Sequence, residues 1–216
     1  MSIQDAIRKY KIISIIRNID TTKLLDAVKV MYEAGVKLFE ITLNQKSEDT
    51  IKENIAQIEK LNNEFGNDIF LGAGTVMNAC QVDLVYKAGA KYVISPHTAE
   101  SVIKRSLELG LISVPGAFTP TEIAFAYACG AHFVKLFPAG TLGTKYIKDL
   151  KGPLGHIPLL AVGGVDLDNM KSFLDAGVCG VGIGSNLANT QVIHSANWSV
   201  LKETAEAYVK TVCNEL

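Results

Sequence analysis

Seven glycines, Gly35, Gly66, Gly89, Gly110, Gly130, Gly155 and Gly177, each stand just ahead of an apolar, strand-like run, 20 to 31 residues apart. Several sit in near-copies of one phrase: Glu-Ala-Gly-Val at 33–36, Lys-Ala-Gly-Ala at 87–90, Ala-Cys-Gly-Ala at 128–131 and Asp-Ala-Gly-Val at 175–178. Each reads as a helix ending at a glycine C-cap, where only glycine takes φ > 0 cheaply, and then entering a strand. Seven such turns, with an opening strand at 12–17, make eight β/α units. Strands are expected at 12–17, 37–43, 69–75, 92–96, 112–115, 133–138, 158–163 and 180–184, with helices between them, among them 22–34, 48–65 and 119–129. Thr119 reads as an N-cap, with Pro120 in the first turn and Glu122 completing a capping box. Alternation with short links implies a parallel sheet covered by helices. Eight units in 216 residues predict an α/β chain folded as a single-domain (β/α)8 TIM barrel over residues 1–216, with a short N-terminal helix. The rival, an open doubly wound sheet, calls for a G-x-G-x-x-G turn after the first strand, and Ile16-Arg17-Asn18 is not one. A last helix over 198–214 carries Leu201, Ala205, Tyr208, Val209 and Val212 at helical spacing and should pack on the barrel. The polar segment 189–197 before it has no assigned role.

Composition narrows the function classes. A net charge of −1 offers no bulk attraction for nucleic acid or an anionic membrane, so neither is expected as a partner. No apolar run approaches the ~20 residues that span a bilayer, and the N-terminus lacks a secretory h-region. Cys80, Cys129, Cys179 and Cys213 form no C-x-x-C pair; they read as reduced, mostly buried thiols of a cytoplasmic protein. His97, His132, His156 and His194 show no metal-ligand spacing, and no metal is expected. There is no serine nucleophile elbow and no dinucleotide fingerprint.

The chemistry is concentrated in two charged residues inside apolar strands. Lys135 lies at the centre of His-Phe-Val-Lys-Leu-Phe-Pro, residues 132–138. Burying an ammonium is costly, and the usual outcome is a lowered pKa. A neutral amine near pH 7 can condense with a carbonyl as a Schiff base; the plainer alternative is a lysine that snorkels from a strand end or pairs with a carboxylate. Glu40 lies in Lys-Leu-Phe-Glu-Ile-Thr-Leu, and strand alternation puts Leu38, Glu40 and Thr42 on one face, as it puts Lys135 with Phe137. The two charges are either a buried structural ion pair or a nucleophile with a proton shuttle.

Active sites of such barrels lie at the C-terminal ends of the strands. Those positions hold Arg17, Thr75 after Gly72-Ala73-Gly74, Ser95-Pro96-His97, Pro115-Gly116, Gly163-Gly164 and Gly184-Ser185. The last two turns suit a phosphate held by backbone N–H groups and a helix N-terminus, with the Ser185 hydroxyl as a further donor. Arg17 offers a fork for a carboxylate, and Thr75 with the amides near Gly74 could hold the same group; the alternative for Arg17 is a surface or ion-pair role.

Together these residues resemble the 2-keto-3-deoxy-6-phosphogluconate (KDPG)/4-hydroxy-2-oxoglutarate aldolase family. The resemblance rests on Ile-Ile-Arg at 15–17, Phe-Glu-Ile-Thr-Leu at 39–43, Gly-Ala-Gly-Thr-Val at 72–76, Ile-Ser-Pro-His at 94–97, Val-Pro-Gly at 114–116, Val-Lys-Leu-Phe-Pro at 134–138, Val-Gly-Gly-Val at 162–165 and Gly-Ile-Gly-Ser at 182–185. It implies a class I aldolase without cofactor or metal, in which Lys135 forms an imine with pyruvate or the 2-keto substrate and Glu40 is the general acid/base. It further implies that Arg17 and Thr75 hold the carboxylate, that Pro96 and Phe137 line the pocket, and that Gly163, Gly164, Gly184 and Ser185 take the phosphate. The implied reaction is cleavage of 2-dehydro-3-deoxy-6-phosphogluconate to pyruvate and glyceraldehyde 3-phosphate, with 4-hydroxy-2-oxoglutarate as a further substrate, in a homotrimer. Many members carry arginine directly after Glu-x-Thr-Leu, where this chain has Asn44; Arg17 is the substitute seen in other members. Many gluconate-type members have Thr-Gly-Gly where this chain has Val162-Gly163-Gly164, as the 2-keto-3-deoxy-6-phosphogalactonate (KDPGal) aldolases do. The C4 epimer is therefore the alternative substrate. More distant readings are another phosphate-binding barrel, such as a thiamine-phosphate synthase or an isomerase, and a non-catalytic sugar-phosphate-binding barrel.

Overall fold

Apolar runs of three to five residues, broken by glycine turns, can bury both faces only in a parallel sheet wrapped by helices. The computed structural model, which describes residues 1–213, has this arrangement. The strands are β1 (Ile12–Ile16), β2 (Leu38–Thr42), β3 (Phe70–Gly74), β4 (Tyr92–Ile94), β5 (Ile112–Val114), β6 (Gly116–Ala117), β7 (Val134–Leu136), β8 (Leu159–Val162) and β9 (Gly180–Ile183). All recorded pairings are parallel, in the order β5-β4-β3-β2-β1-β9-β8-β7-β6. The expected strand at 112–115 is split in two at Pro115, which has no N–H to give a ladder. Its carbonyl still accepts from Lys135 N at 2.9 Å, and the Val114 carbonyl from Ser95 N at 3.2 Å, so β5 and β6 act as one stave and the ring closes. Among the described residues eight staves result, each within two residues of its expected bounds.

The helices are α1 (Ile3–Tyr10), α2 (Thr21–Glu33), α3 (Glu48–Phe65), α4 (Ala79–Lys87), α5 (Glu100–Glu108), α6 (Pro120–Ala128), α7 (Ala139–Leu154), α8 (Met170–Asp175), α9 (Thr190–His194) and α10 (Trp198–Cys213). α6 begins as its sequence dictates, with Thr119 and Glu122 exchanging both bonds of the capping box. α10 buries Leu201, Ala205, Tyr208 and Val212, while Val209 is half-buried; Asn214, expected at its end, lies outside the described residues. Segment 189–197 contains the short helix α9, which packs on α2 and α10. Among the described residues no helix is long and apolar enough to cross a membrane.

Six of the seven turn glycines take positive φ, from 50° at Gly66 to 104° at Gly35. Gly155 is the exception: its φ is −61°, an ordinary right-handed value. Glycine is needed there for close approach, since a Cβ would sit 2.5 Å from the Lys151 carbonyl oxygen. The expected burial of the cysteines also fails for the three whose side chains are described. Cys80 is exposed, and Cys129 and Cys179 are half-buried, because each lies at a helix or strand end rather than on an inward face.

Two apolar layers result. The larger lies between staves and helices. The smaller fills the barrel with Ile13, Ile15, Leu38, Tyr92, Ile94, Val114, Phe133, Leu160 and Val162, and Ala6 and Ile7 of α1 are part of it. Period-two alternation places Glu40 above Leu38 and Lys135 above Phe133 on that inner face. Glycine makes the room: a Cβ on Gly72 would strike the Tyr92 ring, and one on Gly74 would strike the Glu40 carboxylate.

Candidate active site

β2 and β7 lie four staves apart whichever way the ring is followed, by β1-β9-β8 or by β3-β4-β5/β6. Glu40 and Lys135 therefore face each other across the barrel. Glu40 is wholly buried and Lys135 is 2% exposed. Ladder register sets each in place, Glu40 between Ile15 and Gly72, Lys135 between Gly116 and Leu160.

No hydrogen bond or ion pair joins them among the described residues, so the structural ion pair is not formed. Their coupling is coulombic and acts at a distance. Burial pushes the Lys135 amine below its usual 10.5; Glu40 opposes that shift, and Arg17 adds to it. Burial pushes the Glu40 carboxyl above its usual range, against the pull of Lys135, Arg17 and the Thr42 hydroxyl. Desolvation is the largest effect on both, and both shifts favour the neutral forms. Lys135 Nζ lies 4.8 Å from the Phe137 ring centre. Glu40 Oε2 is the one buried side-chain nitrogen or oxygen without a partner among the described residues. Such a group costs about 1–3 kcal/mol, and cores seldom keep one without a use for it.

At the C-terminal ends of β1, β8 and β9 lies a cavity of about 350 Å³. Arg17, Phe137, Gly163, Gly164, Gly184 and Ser185 line it, as the sequence led one to expect, and Ile15 and Val162 bring the barrel interior to its wall. Thr75 and Pro96 are not among its lining residues. They end β3 and β4 on the other side of Glu40, with Pro96 half-buried against Gly116. Thr75 adopts φ 55°, and its carbonyl accepts from Gln45 Nε2 at 2.7 Å. A β-branched residue held left-handed costs about 1–2 kcal/mol and marks a strained loop.

Gly163 and Gly164 both have positive φ, 86° and 75°, and a Cβ on Gly164 would meet the Gly140 backbone at 3.0 Å. This bend turns the chain end of β8 along the cavity. Among the described residues the amides of Gly164 and Ser185 have no protein partner, so two N–H donors remain available to an anion. Of the two helices that follow these turns, α8 has no side-chain cap, whereas α9 begins at Thr190 on the cavity wall with part of its N-terminus already capped. Asn189 caps α9 with its own side chain, taking the amides of Gln191 and Val192.

The cavity also holds Asn18, Asn186 and Thr190, which sequence reasoning passed over because nothing local distinguishes them from other loop polar residues. Asn44 contacts Asn18 at 3.3 Å and takes no part in the lining. Lys135 and Glu40 are not among the cavity's lining residues either; they are buried in the barrel interior, to which Ile15 and Val162 of the cavity wall belong. The arrangement thus holds a buried amine and a buried carboxyl inside the barrel, and one guanidinium with free backbone donors at the cavity on its C-terminal end. That set can attack a carbonyl, move a proton and hold two anionic groups.

A family model described as "Aldolase: KDPG and KHG aldolase" matches residues 3–204. The 2-dehydro-3-deoxy-6-phosphogalactonate aldolase of Escherichia coli is 34% identical over 180 residues, 83% of this chain and 85% of the relative. The 2-dehydro-3-deoxy-phosphogluconate aldolase of Haemophilus influenzae is 30% identical over 198 residues, 90% of this chain and 89% of the relative. Among solved structures, a KDPG aldolase from Legionella pneumophila, with pyruvate captured as a covalent carbinolamine, superposes with a TM-score of 0.85 at 25% identity, over 94% of this chain and 97% of that one.

Proposed function

From the premise that the chain belongs to the KDPG and KHG aldolase family, we propose that it is a class I aldolase using Lys135 as nucleophile and Glu40 as general acid/base on a 2-dehydro-3-deoxy-6-phospho sugar acid. The carrying observation is the buried Lys135 amine, its charge disfavoured and no carboxylate bonded to it, opposite a buried carboxyl with one free oxygen. Neutral Lys135 adds to the C2 carbonyl, and the carbinolamine loses water to a protonated imine. Glu40 takes the C4 hydroxyl proton as the C3–C4 bond breaks. The bonding pair passes into a C2–C3 enamine, and glyceraldehyde 3-phosphate leaves. Glu40 returns a proton to C3, and hydrolysis frees pyruvate and the amine. Arg17 binds the carboxylate; the strained Thr75 turn is a candidate to share that role, with Pro96 beside it. Phe137 walls the imine, and the Gly163-Gly164 and Gly184-Ser185 turns receive the phosphate.

The captured carbinolamine of the Legionella relative supports an imine pathway without a cofactor. Borohydride reduction in the presence of pyruvate is expected to leave a stable pyruvyl adduct on Lys135, located by peptide mass spectrometry. Absence of the adduct would overturn the reading.

Cleavage of the gluconate is the first reading and of its C4 epimer the second, favoured by Val162, whose methyls line the cavity where a threonine would offer a hydroxyl. An apolar wall discriminates weakly, by about 10²-fold or less, whereas a site built to bond a hydroxyl rejects the wrong partner by about 10⁴-fold or more. The two epimers are therefore expected to differ in kcat/KM by less than about 10²-fold in side-by-side pyruvate-release assays. A ratio near 10⁴ would show that another residue reads C4.

A further inference from the structure

Glu40 has two carboxylate oxygens in unlike surroundings. Oε1 accepts from the Thr42 hydroxyl at 3.2 Å and lies against Gly74, where no side chain could fit. Oε2 is buried and has no partner. On the outer side, Arg17 Nε donates to the same Thr42 hydroxyl at 3.4 Å. A guanidinium can only donate, so the Thr42 oxygen accepts from Arg17 and its single hydrogen is directed to Glu40. The chain Arg17 → Thr42 → Glu40 thus has a fixed direction.

We infer that Thr42 is a positioning residue for the aldolase reaction, holding Glu40 Oε1 through its hydroxyl and linking it to Arg17, so that Oε2 is the oxygen that carries the proton. This rests on the proposed aldolase reading. The Thr42 bond favours the ionised carboxylate, as does the positive charge relayed from Arg17. The other titratable groups facing Glu40 are Lys135 of β7 and Tyr92 of β4; β3 presents only Gly72 and Gly74. Tyr92 keeps its proton, since burial holds its phenol well above the ordinary range and its hydroxyl donates to the Phe39 carbonyl at 2.7 Å. Substrate bound at the Arg17 end and the proton shuttle inside the barrel therefore meet at one half-buried hydroxyl at the end of β2.

The test compares Thr42→Val and Thr42→Ser in the full chain. In the imine complex Lys135 is already covalently engaged, so the ascending limb of kcat against pH for cleavage reports Glu40. In Thr42→Val this limb is expected to move to higher pH, and kcat to fall about tenfold or more, the scale of one hydrogen bond to a charged group. Thr42→Ser is expected to return both to the wild-type values, and borohydride trapping of pyruvate should persist in both variants. Should the valine variant fail to fold, Thr42→Ala removes the same hydroxyl and gives the same readout. An unshifted limb, or a serine variant that behaves like valine, overturns the inference. If the wild type itself forms no pyruvyl adduct, the aldolase reading falls, and this inference with it.

Discussion

Lys135→Met is expected to abolish turnover while leaving the barrel folded. Methionine fills the same slot above Phe133 with an unbranched, adaptable chain and no charge to desolvate. Loss of a covalent nucleophile costs about 10⁴-fold or more in kcat. Pyruvate release should fall to background, and borohydride should trap no pyruvyl adduct at this position.

Stability supplies an independent check. The folded lysine has a lowered pKa, so its contribution is present above the ordinary 10.5 and is lost as pH falls through the folded value. The variant lacks that contribution. Without the pull of Lys135, its Glu40 has a pKa raised further; a group raised in this way gives stability present below its ordinary value of 4.5 and lost as pH rises through the folded one. Both effects have the same sign. The stability of Lys135→Met relative to wild type, followed by urea unfolding, should therefore be lower at pH 10.5 than at pH 4.5, the ordinary values of the two groups. A flat or rising difference would show that Lys135 carries its charge at little cost in the fold.

Glu40→Gln separates imine formation from proton transfer. Glutamine keeps the shape and can still accept from the Thr42 hydroxyl, but it cannot take up or release a proton at neutral pH. Cleavage should drop by about 10²–10⁴-fold in kcat, the usual worth of a positioned general acid/base. The pyruvyl adduct on Lys135 should still form. Exchange of the pyruvate methyl protons for deuterium, followed by NMR, should slow by a similar factor, because the same carboxyl serves C3. Burial raises the Glu40 pKa, so the base is lost as pH falls through that raised value, and wild-type kcat for cleavage should decline on the acid side. In Glu40→Gln that decline should vanish. Rapid exchange in this variant would assign the C3 proton to another group.

Much of the frame could be read from local pattern. Helix-ending glycines located the staves, since a left-handed turn excludes most other residues, and period-two alternation assigned Glu40 and Lys135 to one face. Departures came where a residue type has two uses. Gly155 serves close packing against Lys151 rather than a left-handed turn. Pro115 ends one ladder and starts another. Thr42 was placed on the Glu40 face by alternation, yet its bond to Arg17 was missed, since a hydroxyl's partner 25 residues away leaves no local trace.

By itself, then, the amino-acid sequence determined eight β/α units, the inward face and the kinds of chemical group available at the strand ends. Those depend on steric and solvation rules that act within a few residues. Ring closure decided the rest. It set Glu40 and Lys135 on opposite staves with no bond between them, joined Arg17 to Thr42, and gathered the β1, β8 and β9 ends into one cavity whose lining excludes Glu40, Lys135, Thr75 and Pro96. Distances across a barrel depend on the number and register of all its staves at once, and no single stretch of chain contains that information.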